Sequence, residues 1–203
     1  MTKRDCLVIA IAGGSGAGKT DLVNKLNQEM EDSSRLLYDH YKPDYGRLIR
    51  DLKLLKNGEQ ISYPVGNEII KPNKILIIED PADITDFEST ELVDYMIYID
   101  TPFDVSLTRR LLRAIYHSSD ESIENFFAQI GLQYKFSYKE EPTKLMHIIV
   151  WLLENHLSSH RKLYLNDREK QIEIANLVLD GMKSTEEMSE IVREKLRELG
   201  EIL

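Results

Sequence analysis

Short apolar runs alternate along the chain with stretches in which apolar residues recur every three or four positions. Cys6–Ala12 is an unbroken run rich in Val, Ile and Ala, the pattern of a strand buried on both faces. Leu22, Val23, Leu26 and Met30 follow at helical spacing. Arg35–Asp39 predicts a second short strand. Tyr45, Leu48, Ile49, Leu52 and Leu55 predict a helix that Asn57-Gly58 stops. Lys74–Glu79 and Tyr95–Asp100 predict two more strands. Thr101-Pro102 with Asp104 has the form of a helix start, and that helix is expected to run to about His117. Further helical stripes are Ile123, Phe126, Phe127, Ile130 and Tyr134, then Leu145, Ile148, Ile149, Leu152 and His156. Ile172–Leu179 predicts the last strand, closed by Asp180-Gly181. Ser184 and Glu187 form a capping box for a terminal helix with Met188, Ile191, Val192 and Leu199 on its apolar face.

Apolar strands alternating with helices predict an α/β fold: a three-layer sandwich around a parallel sheet of about five strands. A chain of 203 residues fits one domain, residues 1–203, and about 116–166 is expected to be a helical lid or insertion.

Between the first strand and its helix lies Gly13-Gly14-Ser15-Gly16-Ala17-Gly18-Lys19-Thr20, a full G-x-x-x-x-G-K-[ST] pattern. Glycines let the backbone curl so that several N–H groups point at phosphate oxygens, and the helix that follows adds its positive end. Lys19 supplies a charge for the β and γ phosphates, and the Thr20 hydroxyl is the expected Mg²⁺ ligand. Its place after a buried strand and before an amphipathic helix separates this stretch from an incidental glycine-rich turn. The P-loop fold is therefore expected, with a nucleoside triphosphate and Mg²⁺ at the turn; ATP follows from the resemblance given below.

A transferase built on such a loop needs a carboxylate for the attacking hydroxyl and another for the metal. Asp39 ends the second predicted strand, where an open α/β sheet presents residues to ligands. Asp44 could equally cap the next helix. Glu79 and Asp80 end the third strand, and either could hold the metal. Arg109, Arg110 and Arg113, on the helix after the fourth strand, could neutralise nucleotide phosphates or simply pair with acids. His156 and His160 are four apart, but without a third ligand they read as helix surface.

Lys plus Arg is 26 against 35 Asp plus Glu, a net charge of −9. That balance disfavours sequence-independent nucleic-acid binding and anionic membranes. Cys6 is the single cysteine, so no internal disulfide can form and a reducing compartment is expected. The apolar run Met146–Leu153 is too short to span a bilayer. A cytoplasmic protein acting on a small molecule is the expectation, with homo-oligomerisation left open.

These segments together resemble the uridine kinase and phosphoribulokinase group of P-loop kinases, from about Leu7 to the last strand. Ala12–Thr20 is similar to the group's phosphate loop. Tyr38-Asp39-His40-Tyr41-Lys42 resembles its Gln-Asp-x-Phe/Tyr-Tyr-Lys segment, which implies that Asp39 is the catalytic base and a neighbour of the metal. Ile77-Ile78-Glu79 resembles the strand whose Glu binds Mg²⁺. Tyr98–Pro102 through Arg113 resembles a Val-Asp-Thr … Arg-Arg-x-x-Arg-Asp run, with Ala114 in place of its final Asp, which implies that Arg109 and Arg110 contact the nucleotide. The chain departs from the group after Pro64, where Val65-Gly66-Asn67 replaces the usual acceptor-binding residues. It departs again at Ala114–Asp120, which carries no lid arginine, so Arg113, Lys135 or Lys139 would have to serve. The resemblance implies an ATP-dependent kinase that phosphorylates a hydroxyl of a nucleoside or sugar-like acceptor. The alternative is a nucleotide-binding protein with weak or lost kinase activity.

Overall fold

The structure, a computed structural model, describes residues 6–42, 44–79, 91–117 and 144–200. The helix expected at Ile123–Tyr134, and Asp80, Lys135 and Lys139, lie outside the described residues.

The chain divides into two compact units, Met1–Thr101 with Arg168–Leu203, and Pro102–Asp167. In the larger unit, β1 (Leu7–Gly13), β2 (Ser33–Leu36), β5 (Ile75–Glu79), β6 (Tyr95–Asp100) and β7 (Leu177–Asp180) form one sheet in the order β2-β5-β1-β6-β7. Every pairing in it is parallel. Residues of β1 alternate between two cores. Leu7, Ile9 and Ile11 meet Leu22, Val23 and Leu26 of α1 (Lys19–Glu29) and Met188, Val192 and Leu196 of α6 (Thr185–Glu198). Val8 and Ala10 meet Leu48, Leu52 and Leu55 of α2 (Tyr45–Lys56) on the opposite face. With both faces covered, the strands must be apolar throughout, as the runs in the sequence are.

Local signals fall where the sequence puts them. The Asp44 carboxylate caps α2 by accepting the Arg47 N–H. Asn57 closes that helix, and Gly58 follows at φ 83°. Ser184 and Glu187 make both bonds of the capping box.

Two expectations need correction, and one element is not foreseen. Strand β2 stops at Leu36, and a 3₁₀ turn spans Tyr38–Tyr41, because the Leu37 N–H goes to the Tyr63 hydroxyl instead of a neighbouring strand. Ile172 and Ile174 belong to α5 (Arg161–Ile174), and the last strand begins at Leu177. Ile172-Glu173-Ile174 alternates like a strand, yet Ile172 reaches Met96 and Tyr98 from a covering helix. A two-strand antiparallel ribbon, β3 (Ile61–Ser62) with β4 (Ile69–Ile70), carries too few residues to leave a pattern.

In the smaller unit, α3 (Phe103–His117) and α4 (Lys144–Asn155) pack through Leu111, Ala114, Ile148 and Leu152, with Trp151 at the margin. A π-helical turn, His156–His160, joins α4 to α5. Among the described residues no helix is long and apolar enough to cross a membrane.

At Gly13, φ is 146° and a Cβ would lie 2.9 Å from the Ile99 carbonyl oxygen. Gly13→Ala should therefore lower stability by about 1–3 kcal/mol, read as an earlier urea midpoint at unchanged slope. Ser184→Ala, which removes one arm of the capping box, should cost about 1 kcal/mol in the same assay.

Candidate functional site

Strand β1 ends in the glycine turn. The Ala17 N–H donates to the Gly14 carbonyl at 3.0 Å, which closes the curl, and the Ala17 side chain is buried beneath it. The Thr101 hydroxyl donates to the Ala17 carbonyl at 3.4 Å, tying the turn to the end of β6. Gly16 and Gly18 hold φ of 89° and 98°, values that only glycine adopts without strain. Gly18 is the N-cap of α1 and brings no capping side chain, so the first turn of the helix opens toward the loop. Ser15 is exposed at the tip. The Lys19 ammonium folds back over the turn and donates to the carbonyls of Gly13 at 2.8 Å and Gly14 at 3.3 Å.

Glu79 ends β5, which pairs with β1 so that Glu79 stands opposite Ile11. This register places a carboxylate beside the start of α1. The Thr20 hydroxyl donates to Glu79 Oε1 at 2.7 Å, and Glu79 is only 9% exposed. A hydroxyl and a carboxylate in contact at the foot of a glycine turn are hard oxygen donors, the set that Mg²⁺ takes. The glycine cradle and Lys19 fit a polyphosphate. Residues Gly13 to Thr20 and Glu79 are thus brought together.

Asp39 sits in the 3₁₀ turn, exposed, with Lys42 Nζ 2.6 Å from its Oδ1. Its turn is held by Tyr63, whose hydroxyl accepts the Leu37 N–H at 3.1 Å and lies 2.9 Å from His40 Nδ1. Burial raises the Tyr63 pKa, and the nearby Glu79 carboxylate adds to that. Tyr63 and His40 are missing from the sequence-based site, since neither spacing nor residue type marks a tyrosine that pins a turn. Asp100, at the end of β6, is gripped by Arg168 through two bonds of 2.8 and 2.6 Å. That pair is likewise invisible to local pattern.

Arg109, Arg110 and Arg113 lie on α3, in the smaller unit. Arg109 and Arg110 are half-buried and Arg113 is exposed. Burial, aided by Arg113, lowers the Arg110 pKa. His156 departs from the surface role expected of it: it is 7% exposed and stacks on Phe103 at 4.2 Å. Cys6 is buried and its thiol pKa is raised by that burial, as expected of an inert cysteine.

Residues 1–154 match the KAP family P-loop domain. The uridine kinase of Enterobacter sp. (strain 638) is 27% identical over 161 residues, 61% of this chain and 75% of that protein. The uridine kinase of Shewanella oneidensis is 32% identical over 152 residues, 57% of this chain and 72% of that protein. A solved structure of a possible uridine kinase from Bacillus stearothermophilus superposes with a TM-score of 0.50 at 15% identity, covering 89% of this chain and 91% of that one. At that identity the superposition speaks to the fold alone. The chain belongs to the KAP family P-loop domain, as a divergent, uridine kinase-like P-loop kinase.

Proposed function

We propose that this chain transfers the γ-phosphoryl group of ATP to a hydroxyl of a small nucleoside-like or sugar-like acceptor. The contact between Thr20 and Glu79 under the glycine turn carries this reading, because it assembles the two oxygens a nucleotide-bound metal needs. The curl from Gly13 to Gly18 would present its amides to the phosphates, with Lys19 leaving the loop carbonyls to meet them. Thr20 and Glu79 would hold Mg²⁺, with Asp39 nearby. When bound, Mg²⁺ neutralises charge on the phosphate oxygens. Arg109, Arg110 and Arg113 would complete the charge balance.

Asp39 would orient the acceptor hydroxyl and take its proton. Its pair with Lys42 is exposed on both sides, and such pairs contribute only about 0–1 kcal/mol, so the carboxylate is released at little cost. Tyr63 and His40 fix the turn that carries Asp39. Relatives named uridine kinase make uridine the first acceptor to test, with cytidine beside it as a second pyrimidine nucleoside. The alternative reading, a nucleotide-binding protein with weak or lost transfer, is favoured by the absence of arginine from Ala114–Asp120. A panel of nucleosides and phosphorylated sugars separates the two: acceptor-stimulated ADP release supports the kinase, and tight ATP binding without it supports the alternative. The cytoplasm is the proposed location.

Asp39→Asn should reduce kcat by about 10²–10⁴ while ATP binding by calorimetry is retained. An unchanged kcat would remove Asp39 from the mechanism. Glu79→Gln should raise the Mg²⁺ concentration for half-maximal turnover by about 10–100-fold. A Mg²⁺ dependence like that of the unaltered chain would mean Glu79 does not serve the metal.

A further inference from the structure

Three strands of the parallel sheet end in an acid at the edge where the glycine turn sits. Glu79 closes β5, Asp100 closes β6 and Asp180 closes β7. Glu79 is engaged by Thr20. Asp180 is exposed on the outer strand, where its Oδ1 accepts the Met182 N–H at 2.9 Å. Asp100 is the inner acid: it stands beside Asp180 in register, on the strand that flanks β1.

Contacts on both sides of Asp100 tie it to the turn. Its predecessor Ile99 is paired with Gly13, and the Ile99 carbonyl oxygen would lie 2.9 Å from a Cβ at Gly13. Its successor Thr101 is 1% exposed and donates to the Ala17 carbonyl. Thr101 fits there because position 181 is glycine: a Cβ at Gly181 would fall 2.8 Å from the Thr101 Cβ and 2.9 Å from its Cα. The Gly181 N–H in turn donates to the Asp100 carbonyl at 2.9 Å. The turn thus rests on Ile99 and Thr101, with an acid between them. Strand alternation sends the Asp100 side chain to the other face, the one on which Met96 and Tyr98 meet Ile172 and Ala175.

On that face Arg168 of α5 meets it. Arg168 Nε donates to one carboxylate oxygen at 2.8 Å and Nη2 to the other at 2.6 Å, a bridge between positions 68 apart. Two parallel bonds from a guanidinium to a carboxylate are the strong form of this pair. Both side chains are part-buried, so salt and water screen them less than a surface pair. A carboxylate without such a partner would oppose any anion held by the turn. Across about 10 Å near a protein surface, one unit charge changes the affinity for a phosphate by roughly tenfold.

We propose that Arg168 is a positioning residue of the phosphate site: acting through Asp100, it cancels the charge of the acid beside the glycine turn and so strengthens the turn's hold on a triphosphate. The inference rests on the reading of the turn as a triphosphate site. Charge is the quantity at stake. The intact pair is neutral, loss of Arg168 leaves one negative charge, loss of the Asp100 charge leaves one positive charge, and loss of both is neutral again.

Calorimetry of the full chain with ATP and Mg²⁺ tests this as a cycle. Arg168→Gln should weaken binding about tenfold, and Asp100→Asn should tighten it by a similar factor. The double variant should return close to the unaltered chain. Raising the ionic strength should shrink both shifts, which a loss of packing would not do. Circular dichroism shows that each variant folds; if Arg168→Gln does not, the Asp100→Asn arm decides alone. Unchanged or weaker binding by Asp100→Asn would overturn the proposal, as would a double variant no better than Arg168→Gln. No heat from the folded, unaltered chain would sink the triphosphate reading and this inference with it. Heat from the unaltered chain with equal affinities across the variants would sink this inference alone.

Discussion

Strand β1 has no face open to water. From Leu7 to Ala12 every residue is buried, with α1 and α6 on one side and α2 on the other. Its hydrogen-bonding edges are taken as well, by β5 and β6. The chain can leave such a strand only at its end, and there Gly13 must turn beneath the Ile99 carbonyl, where a side chain would not fit. Everything at the site inherits its position from this confinement. The turn faces the start of α1, Thr20 falls beside β5, and the register that pairs Ile11 with Glu79 brings the carboxylate to the hydroxyl.

Much of this is legible in the residues because the signals are local. A glycine turn between a buried strand and a helix declares itself in eight consecutive letters. Glu79 is marked by the apolar run before it, and the Ser184–Glu187 cap by its spacing. The failures share a different cause. The Leu37 amide leaves the sheet for a hydroxyl 26 positions away, so β2 ends early and Asp39 rides on a 3₁₀ turn. Ile172 obeys strand periodicity while serving a helix, because one face of a short amphipathic segment satisfies either geometry. His156 looks like surface until Phe103 is found stacked on it from another helix. Each error is a long-range contact overriding a short-range pattern.

The family match and the sheet speak to the glycine turn and say little about any second ligand. The glycine turn and Glu79 are made of backbone and strand ends, which tolerate divergence around them. Recognition in such folds is left to loops, and neither Pro43-Asp44-Tyr45 nor Val65-Gly66-Asn67 carries a pattern that names a ligand. Asp44 is committed to its helix and to Arg50, which removes it from the acids available to a substrate.

Trp151 is the only tryptophan of the chain, and it lies at the margin of the α3–α4 core. Indole emission excited at long wavelength thus comes from the smaller unit alone, whereas circular dichroism sums over both. Melting followed by the two signals would coincide if the units unfold as one and separate if they do not. The protein carries its own spectroscopic label for the unit that holds Arg109, Arg110 and Arg113.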